Sequence, residues 1–298
     1  TGAARMDKLW LRASGAVTQP AFNDADEFDR SFTRLSLNAA MLVKVGDHGQ
    51  LRMNGGLGYQ LPSLVNYGLR LLAPTPSPVP LYVAGDPGIH PVRIWSGEVS
   101  YSHDLRVARI EATGFFNRTE GVIASPGDGI QNQTELFFTP TPVVVARFAG
   151  AGDYETYGVE VGAAGRVAQL SWRANYTWTH TDEDLTGTTL PVAFAIAPRA
   201  TTPRHKANLT LGYDAGRWYV SGVARYTSAT RQFGFSTAPQ LLLYRVEDAV
   251  SLDARIGYRL SPNLELFAAG ENLSLADGAA GSPIPADRRV RGGLRVTL

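Results

Sequence analysis

The sequence predicts an all-β chain, an antiparallel transmembrane β-barrel wall of about twelve strands in meander order. Three observations predict it. Apolar and polar residues alternate with period two over runs of about ten residues, connections alternate strictly between short and long, and aromatic residues of the apolar face fall into two bands.

The expected strands are 6–17, 32–45, 50–60, 92–103, 105–118, 155–164, 166–180, 204–213, 217–228, 249–260, 264–273 and 289–298. Each approaches the roughly ten residues that a tilted strand needs to cross a bilayer. In 166–180 the even positions are Ala168, Leu170, Trp172, Ala174, Tyr176 and Trp178, and the odd ones include Gln169, Ser171, Arg173, Asn175, Thr177 and Thr179. One face suits lipid and the other water. Runs 50–60 and 249–260 repeat the pattern. An arginine at a lipid-facing midplane position costs about 2–4 kcal/mol, so the polar face is expected to look into a lumen. Runs 6–17 and 264–273 are mixed. In the second of these Glu265 and Glu271 share a face with Phe267, Ala269 and Leu273, and neither run offers a clean lipid side.

Short connections are expected at Gly46-Asp47-His48-Gly49, His103-Asp104, Ala164-Gly165, Asp214-Ala215-Gly216 and Ser261-Pro262-Asn263, all residues suited to tight turns. Long ones are 62–91, 120–154, 181–203, 231–247 and 276–288. The proline-rich run 74–80 reads as a stiff extended loop segment. A soluble sandwich has no reason to segregate its loops, whereas outer-membrane barrels have short periplasmic turns and long external loops. With the short turns placed on the periplasmic side, Tyr101, Tyr213, Trp218 and Tyr258 form one aromatic girdle. Tyr59, Trp95, Phe116, Tyr157, Trp178 and Tyr226 form the other.

Composition closes other routes. A net charge of +1 gives no basic field for nucleic acid. With 0 cysteines there is neither a disulfide framework nor a thiolate metal site. Mean hydropathy is -0.11 and no apolar run of about 18 residues exists, so no spanning helix is expected. The start, Thr1-Gly2-Ala3-Ala4-Arg5, carries no signal-peptide pattern, and the chain is expected to be the middle or end of a longer one.

Several segments, in order, resemble the carboxy-terminal part of the β-barrel of TonB-dependent outer-membrane receptors. Gly58-Tyr59-Gln60-Leu61-Pro62-Ser63-Leu64 resembles that family's Gly-Tyr-x-x-Pro-Ser-Leu segment. Gly85-Asp86-Pro87-Gly88-Ile89-His90-Pro91 resembles its Asn-Pro-x-Leu-x-Pro-Glu entry to the next strand, with Asp86 and Val92 in place of the usual Asn and Glu. The stretch from Glu111 through Phe115, Phe116 and Asn117 is similar to the Ala-x-Phe-Tyr-Asn strand, and Tyr157-Gly158-Val159-Glu160 to the Gly-Val-Glu strand. Asn175-Tyr176-Thr177-Trp178, Pro203-Arg204-His205-Lys206-Ala207-Asn208-Leu209, and Tyr258-Arg259-Leu260 with Asn272-Leu273 follow in the family's order. The resemblance implies active transport of a small-molecule or metal-chelate ligand through a lumen closed by an amino-terminal plug domain, with energy delivered by the TonB complex. It also implies a barrel of about 22 strands, of which this chain supplies about the last twelve and no plug. Leu298 departs from the family's usual aromatic ending. Lipid of the bacterial outer membrane, the TonB complex acting through the missing plug, and the ligand are the expected partners. Iron–siderophore, cobalamin and oligosaccharide classes all stay open.

Site residues follow from this topology. External-loop aromatics Phe137, Phe138, Phe233, Phe235 and Tyr244 are candidates to grip a ligand. Lumen-facing Arg173, Arg225, Asp253, Arg255 and Arg295, with Glu160, are candidates to line a permeation path or clamp a plug, the plainer reading being that opposite charges pair across neighbouring strands inside a wet barrel. No catalytic residue, metal or cofactor is expected. His48 and His103 lie at short turns, while His90, His180 and His205 lie near the external rim. The run 180–184 is better read as a solvated acidic loop start than as a hard-cation site. No Gly-x-Ser-x-Gly elbow occurs and no Ser, His and acid share a strand register, so an enzyme is not expected. The runner-up is a passive porin-like channel, and the third reading is a secreted all-β carbohydrate-binding domain. The chain by itself is expected to form an open sheet whose first and last strands are unpaired edges.

Overall fold

The computed structural model describes residues 1–12, 14–15, 23–73, 78–124, 134–138, 142–185, 198–235, 241–274 and 287–297. Twelve long strands form one antiparallel sheet: β1 (Gly2–Leu11), β2 (Arg30–Val45), β3 (Gly49–Gln60), β4 (Val92–Asp104), β5 (Ala108–Glu120), β6 (Gly152–Val167), β7 (Leu170–Leu185), β8 (His205–Ala215), β9 (Trp218–Thr227), β10 (Ala249–Ser261), β11 (Leu264–Glu271) and β12 (Arg289–Val296). Each pairs with its neighbour in sequence, so the sheet is a pure meander. It stays open: among the described residues β1 pairs only with β2, and β12 only with β11.

The registers resolve the two faces. Val161, Tyr176, Ala207, Tyr226 and Val250 stand opposite one another across five strands. One residue away, Gly162, Asn175, Asn208, Arg225 and Ser251 form the matching row on the other face. Because side chains alternate along a strand, every row keeps its face across the sheet. The apolar face is uncovered: Met6 is 72% exposed, Trp218 53% and Val220 46%. A secreted binding domain would bury such residues between two sheets; here they lie on the bare side of one.

Of the two mixed strands, β11 becomes clean and β1 does so except at Lys8. β1 starts at Gly2, earlier than expected, which puts Gly2, Ala4, Met6 and Trp10 on the apolar face together with Lys8, whose ammonium lies 4.8 Å over the Trp10 ring, and leaves Arg5 paired with Asp7 at 2.9 Å on the other. Its last inward residues, Leu9 and Leu11, are apolar because they pack under the loop cap described below. In β11, Leu266, Ala268 and Gly270 face with Tyr258, Ile256 and Ala254, whereas Glu265, Phe267, Ala269 and Glu271 all belong to the polar face.

Two turns lie elsewhere than expected. The β6–β7 turn falls at Ala168-Gln169, with Ala168 at φ 50°, while Gly165 and Arg166 are still paired with Trp172 and Ser171. Gly165 serves close approach, not turning: a Cβ there would come to 2.4 Å of the Val107 carbonyl oxygen. The β4–β5 turn occupies 105–107, beyond His103-Asp104, which remain in β4 opposite Ile110 and Arg109.

The long connections carry structure of their own. Strands Arg70–Ala73, Leu81–Ala84, Pro142–Arg147 and Thr134–Phe138 form a second sheet in that spatial order, with a parallel pair in the middle that joins two separate connections. An apolar cluster of Leu11, Phe32, Tyr67, Ile89 and Phe148 fastens this cap to the rim of β1 and β2. The run 74–80 reaches only partly into the described residues. A hairpin of Thr230–Phe235 with Leu241–Val246 extends beyond β9 and β10.

Candidate functional site

Two of the motif segments now have a local reason. After Pro62, Ser63 caps helix α1 (Leu64–Gly68): its Oγ accepts the Asn66 amide at 3.3 Å, while Asn66 Oδ1 accepts the Ser63 amide at 2.8 Å. This reciprocal cap turns the chain sharply out of β3 and drops Tyr67 into the apolar cluster, 2% exposed. Its hydroxyl has no partner among the described residues, and burial pushes the phenol up to about 12. Downstream, Asp86 Oδ1 accepts the Gly88 amide at 2.6 Å, an Asx turn that aims Ile89 into the same cluster. Asp86 therefore does here what the more usual Asn would do.

On the polar face, aromatic rings lie over glycines directly opposite them: Phe115 over Gly158, Tyr219 over Gly257 and Phe267 over Gly293. A Cβ on Gly257 would fall 2.2 Å from Tyr219 Cε1, so glycine leaves the ring its seat. Tyr219 thereby reaches Glu265, to which it donates its hydroxyl hydrogen, and accepts from Arg255 Nε at 2.7 Å. Arg255 also pairs with Glu265 at 2.7 Å and lies 4.1 Å over the Phe267 ring. Nearer the short turns Arg259 grips Asp214 with two bonds of 2.8 Å.

All the expected lumen candidates stand on this face. Arg225 pairs with Asp253, whose other oxygen accepts the Asn272 amide at 2.9 Å. Arg255 joins the Tyr219–Glu265 cluster, Arg295 stands opposite Glu265, and Arg173 stands opposite Ala164 and Thr210. Sequence reading missed Tyr219, Glu265 and Phe267 as partners of Arg255. The available signal was the mixed pattern of 264–273, in which two glutamates and a phenylalanine share one parity.

The loop aromatics divide between two sheets. Phe137 and Phe138 lie on the cap strand Thr134–Phe138, and Phe233, Phe235 and Tyr244 on the hairpin. Tyr244 is half-buried opposite Gln232; the side chains of the other four lie outside the described residues. The acidic run 180–184 alternates faces: Asp182 and Asp184 share one face, opposite Glu155 and Asp153, which Arg118 bridges, and Glu183 lies on the other, opposite Tyr154. His180 instead lies beside Trp178 and Tyr157, accepts from Arg204 at 3.2 Å and donates to Asp182 at 3.0 Å.

At the long-connection end a polar pocket of about 470 Å³ opens between helix α2 (Pro198–Thr201) and the hairpin. Arg199, Arg231, Arg245 and Glu183 line it. One Glu183 oxygen accepts the Arg199 backbone amide at 3.0 Å.

The apolar face also shows where its band ends. Trp178 opposes His205 at one level and Leu170 opposes Tyr213 at the other, eight residues apart on β7 or about 26 Å at about 3.3 Å per residue. Just past Phe116 and Tyr157 the same face turns ionic, with Arg118 bonded to Glu155 at 2.8 Å and Arg93 paired with Glu120 at 3.4 Å. A meander with one apolar, aromatic-edged face and one charged face is the wall of a membrane barrel.

The comparisons agree. A family model described as TonB dependent receptor-like, beta-barrel matches residues 1–273, and the chain belongs to that family. Similar solved structures include the siderophore receptor PirA from Acinetobacter baumannii, with a TM-score of 0.66 and 14% identity over 89% of this chain and 41% of that one. The ferric enterobactin receptor PfeA from Pseudomonas aeruginosa, an R480A mutant in complex with enterobactin, gives 0.65 and 14% over 89% and 40%. The FrpB iron transporter from Neisseria meningitidis gives 0.62 and 14% over 89% and 38%. This chain thus spans about two fifths of the length of these structures, and the likeness is one of fold. No curated protein matches the sequence.

Proposed function

We propose that this chain forms part of the barrel of a receptor in the bacterial outer membrane that takes up a scarce small-molecule or metal-chelate ligand with TonB-derived energy. The observation that carries the reading is the sheet itself, apolar outside and ionic inside, in a chain of this family. The short turns would face the periplasm and the cap, hairpin and α2 the exterior, so ligand would first meet the long connections. A plug domain contributed by another part of the protein would close the lumen, and the TonB complex would act through it. An iron–siderophore complex leads among ligands, since the similar structures are named as siderophore or iron receptors. The chain's role is transport and not catalysis.

Uptake of radiolabelled ferric siderophores by cells with and without the gene for the full-length protein, each with and without TonB, tests this. Loss of uptake in both single deletions supports the proposal. Uptake that persists without TonB, with steady single-channel conductance, would point to a passive channel.

A further inference from the structure

In the external hairpin, Arg231 stands directly opposite Arg245. Like charges in direct cross-strand register repel, and a two-stranded ribbon is marginal by itself, so this pairing works against the hairpin unless something negative lies between the two guanidinium groups. Arg199 brings a third guanidinium into the same pocket. Among the described residues little answers them. Arg245 Nε meets Glu247 at 2.9 Å, Arg199 and Arg231 make no ion pair with any described residue, and Glu183 receives the backbone of Arg199. Three arginines, each a planar five-donor fork, thus line about 470 Å³ with Glu183 as the carboxylate of the lining and Glu247 bonded to Arg245 beside it.

We infer that this pocket is a recognition site for an anionic ligand group, a carboxylate or phosphate-like oxyanion held between Arg231 and Arg245 with Arg199 closing from α2. Guanidinium groups bind such groups through paired N–H···O bonds. Because Arg231 and Arg245 lie on one connection and Arg199 on another, the bound anion ties two long connections together. The inference deepens the receptor reading and rests on it for the site's external position. Among the ligand classes that the sequence leaves open, it selects a charged chelate over a neutral saccharide.

Titration calorimetry on the detergent-solubilised full-length protein at low salt tests it, with citrate and inorganic phosphate as probes and maltotriose as the neutral control. The wild type is expected to bind at least one anion and not maltotriose. Arg231→Gln and Arg245→Gln should each weaken anion binding about tenfold or more, with partial rescue by Arg231→Lys. The bound anion should also raise the thermal midpoint of the wild type and not that of Arg231→Gln. Binding unchanged by either substitution, no binding of either anion at millimolar concentration, or equal binding of maltotriose overturns the site. The assay needs no TonB, so these results stand apart from the uptake experiment, whose failure would leave an anion site in place.

Discussion

Gly158, within the Tyr157-Gly158-Val159-Glu160 segment, offers a sharp test of how the wall is packed. A Cβ built there would lie 2.2 Å from the Trp178 carbonyl oxygen and 2.6 Å from Phe115 Cζ. The ring can swing away but the carbonyl belongs to β7 and cannot, so Gly158→Ala must spread the β6–β7 pair by about 1 Å to reach ordinary contact distances. Overpacking of this kind costs about 1–3 kcal/mol, and one or two ladder hydrogen bonds at about 1 kcal/mol each are weakened with it. The expected loss is about 2–4 kcal/mol. Gly162, four residues along the same strand and face, is the control: its nearest neighbour is the Ala174 carbonyl oxygen at 3.9 Å, so Gly162→Ala should change stability by about 0.5 kcal/mol or less. Urea unfolding of the detergent-solubilised protein, followed by its heat-modifiable gel mobility, measures both. Equal midpoints for the two variants would refute the argument. So would full rescue of Gly158→Ala by Phe115→Ala, since that would place the clash on the ring alone.

Other outcomes follow from the same geometry. Leu252→Arg, on the apolar face opposite Ala224 at the middle of the band, should cost about 2–4 kcal/mol and reduce the heat-modifiable fraction, whereas Val223→Arg, on the polar face opposite Asp253, should be tolerated. Gly257→Ala should displace Tyr219 and lower the unfolding midpoint, and in a Tyr219→Ala background the same change should have little further effect. Tyr67 titrates higher in the folded state, about 12 against the usual 10.0, so its contribution is complete below pH 10 and lost as pH rises through 12. Tyr67→Phe also removes a buried hydroxyl without a partner among the described residues, so it should be at least as stable as the wild type at neutral pH and gain a further margin above pH 10, as followed by near-ultraviolet circular dichroism across the pH range.

The strands were legible because the bilayer imposes an uninterrupted period of two. That pattern placed Trp172, Tyr176 and Trp178 on one face and Arg173, Asn175 and Thr177 on the other, as the registers do. It failed where another demand replaced lipid. Leu9 and Leu11 are apolar on the polar side because a loop cap covers them, which hid the true start of β1 at Gly2. Gly165 resembled a turn residue because strand crowding and turning both ask for glycine, and the residue that turns, Ala168, carries no such signature. The 264–273 stretch was ambiguous since Phe267 is a lumen-side ring lying over Gly293, an apolar residue whose reason is a partner on another strand. Long-range pairing also explains why the pocket at Arg199, Arg231 and Arg245 was missed: its residues come from two connections whose meeting no local pattern encodes.

The central claim is that one face of this sheet meets lipid and the other an aqueous lumen. This chain has 0 cysteines, so, with any cysteine elsewhere in the full-length protein replaced by serine, single-cysteine nitroxide labels can be placed one at a time along β7 from Trp172 to Thr179 in the protein reconstituted into bilayers. The measurement is the accessibility of each label to oxygen, which partitions into lipid, against a water-soluble nickel complex. The account predicts strict alternation, with oxygen favoured at Trp172, Ala174, Tyr176 and Trp178 and nickel at Arg173, Asn175, Thr177 and Thr179. A profile without a period of two, or one with the two sets exchanged, would contradict it.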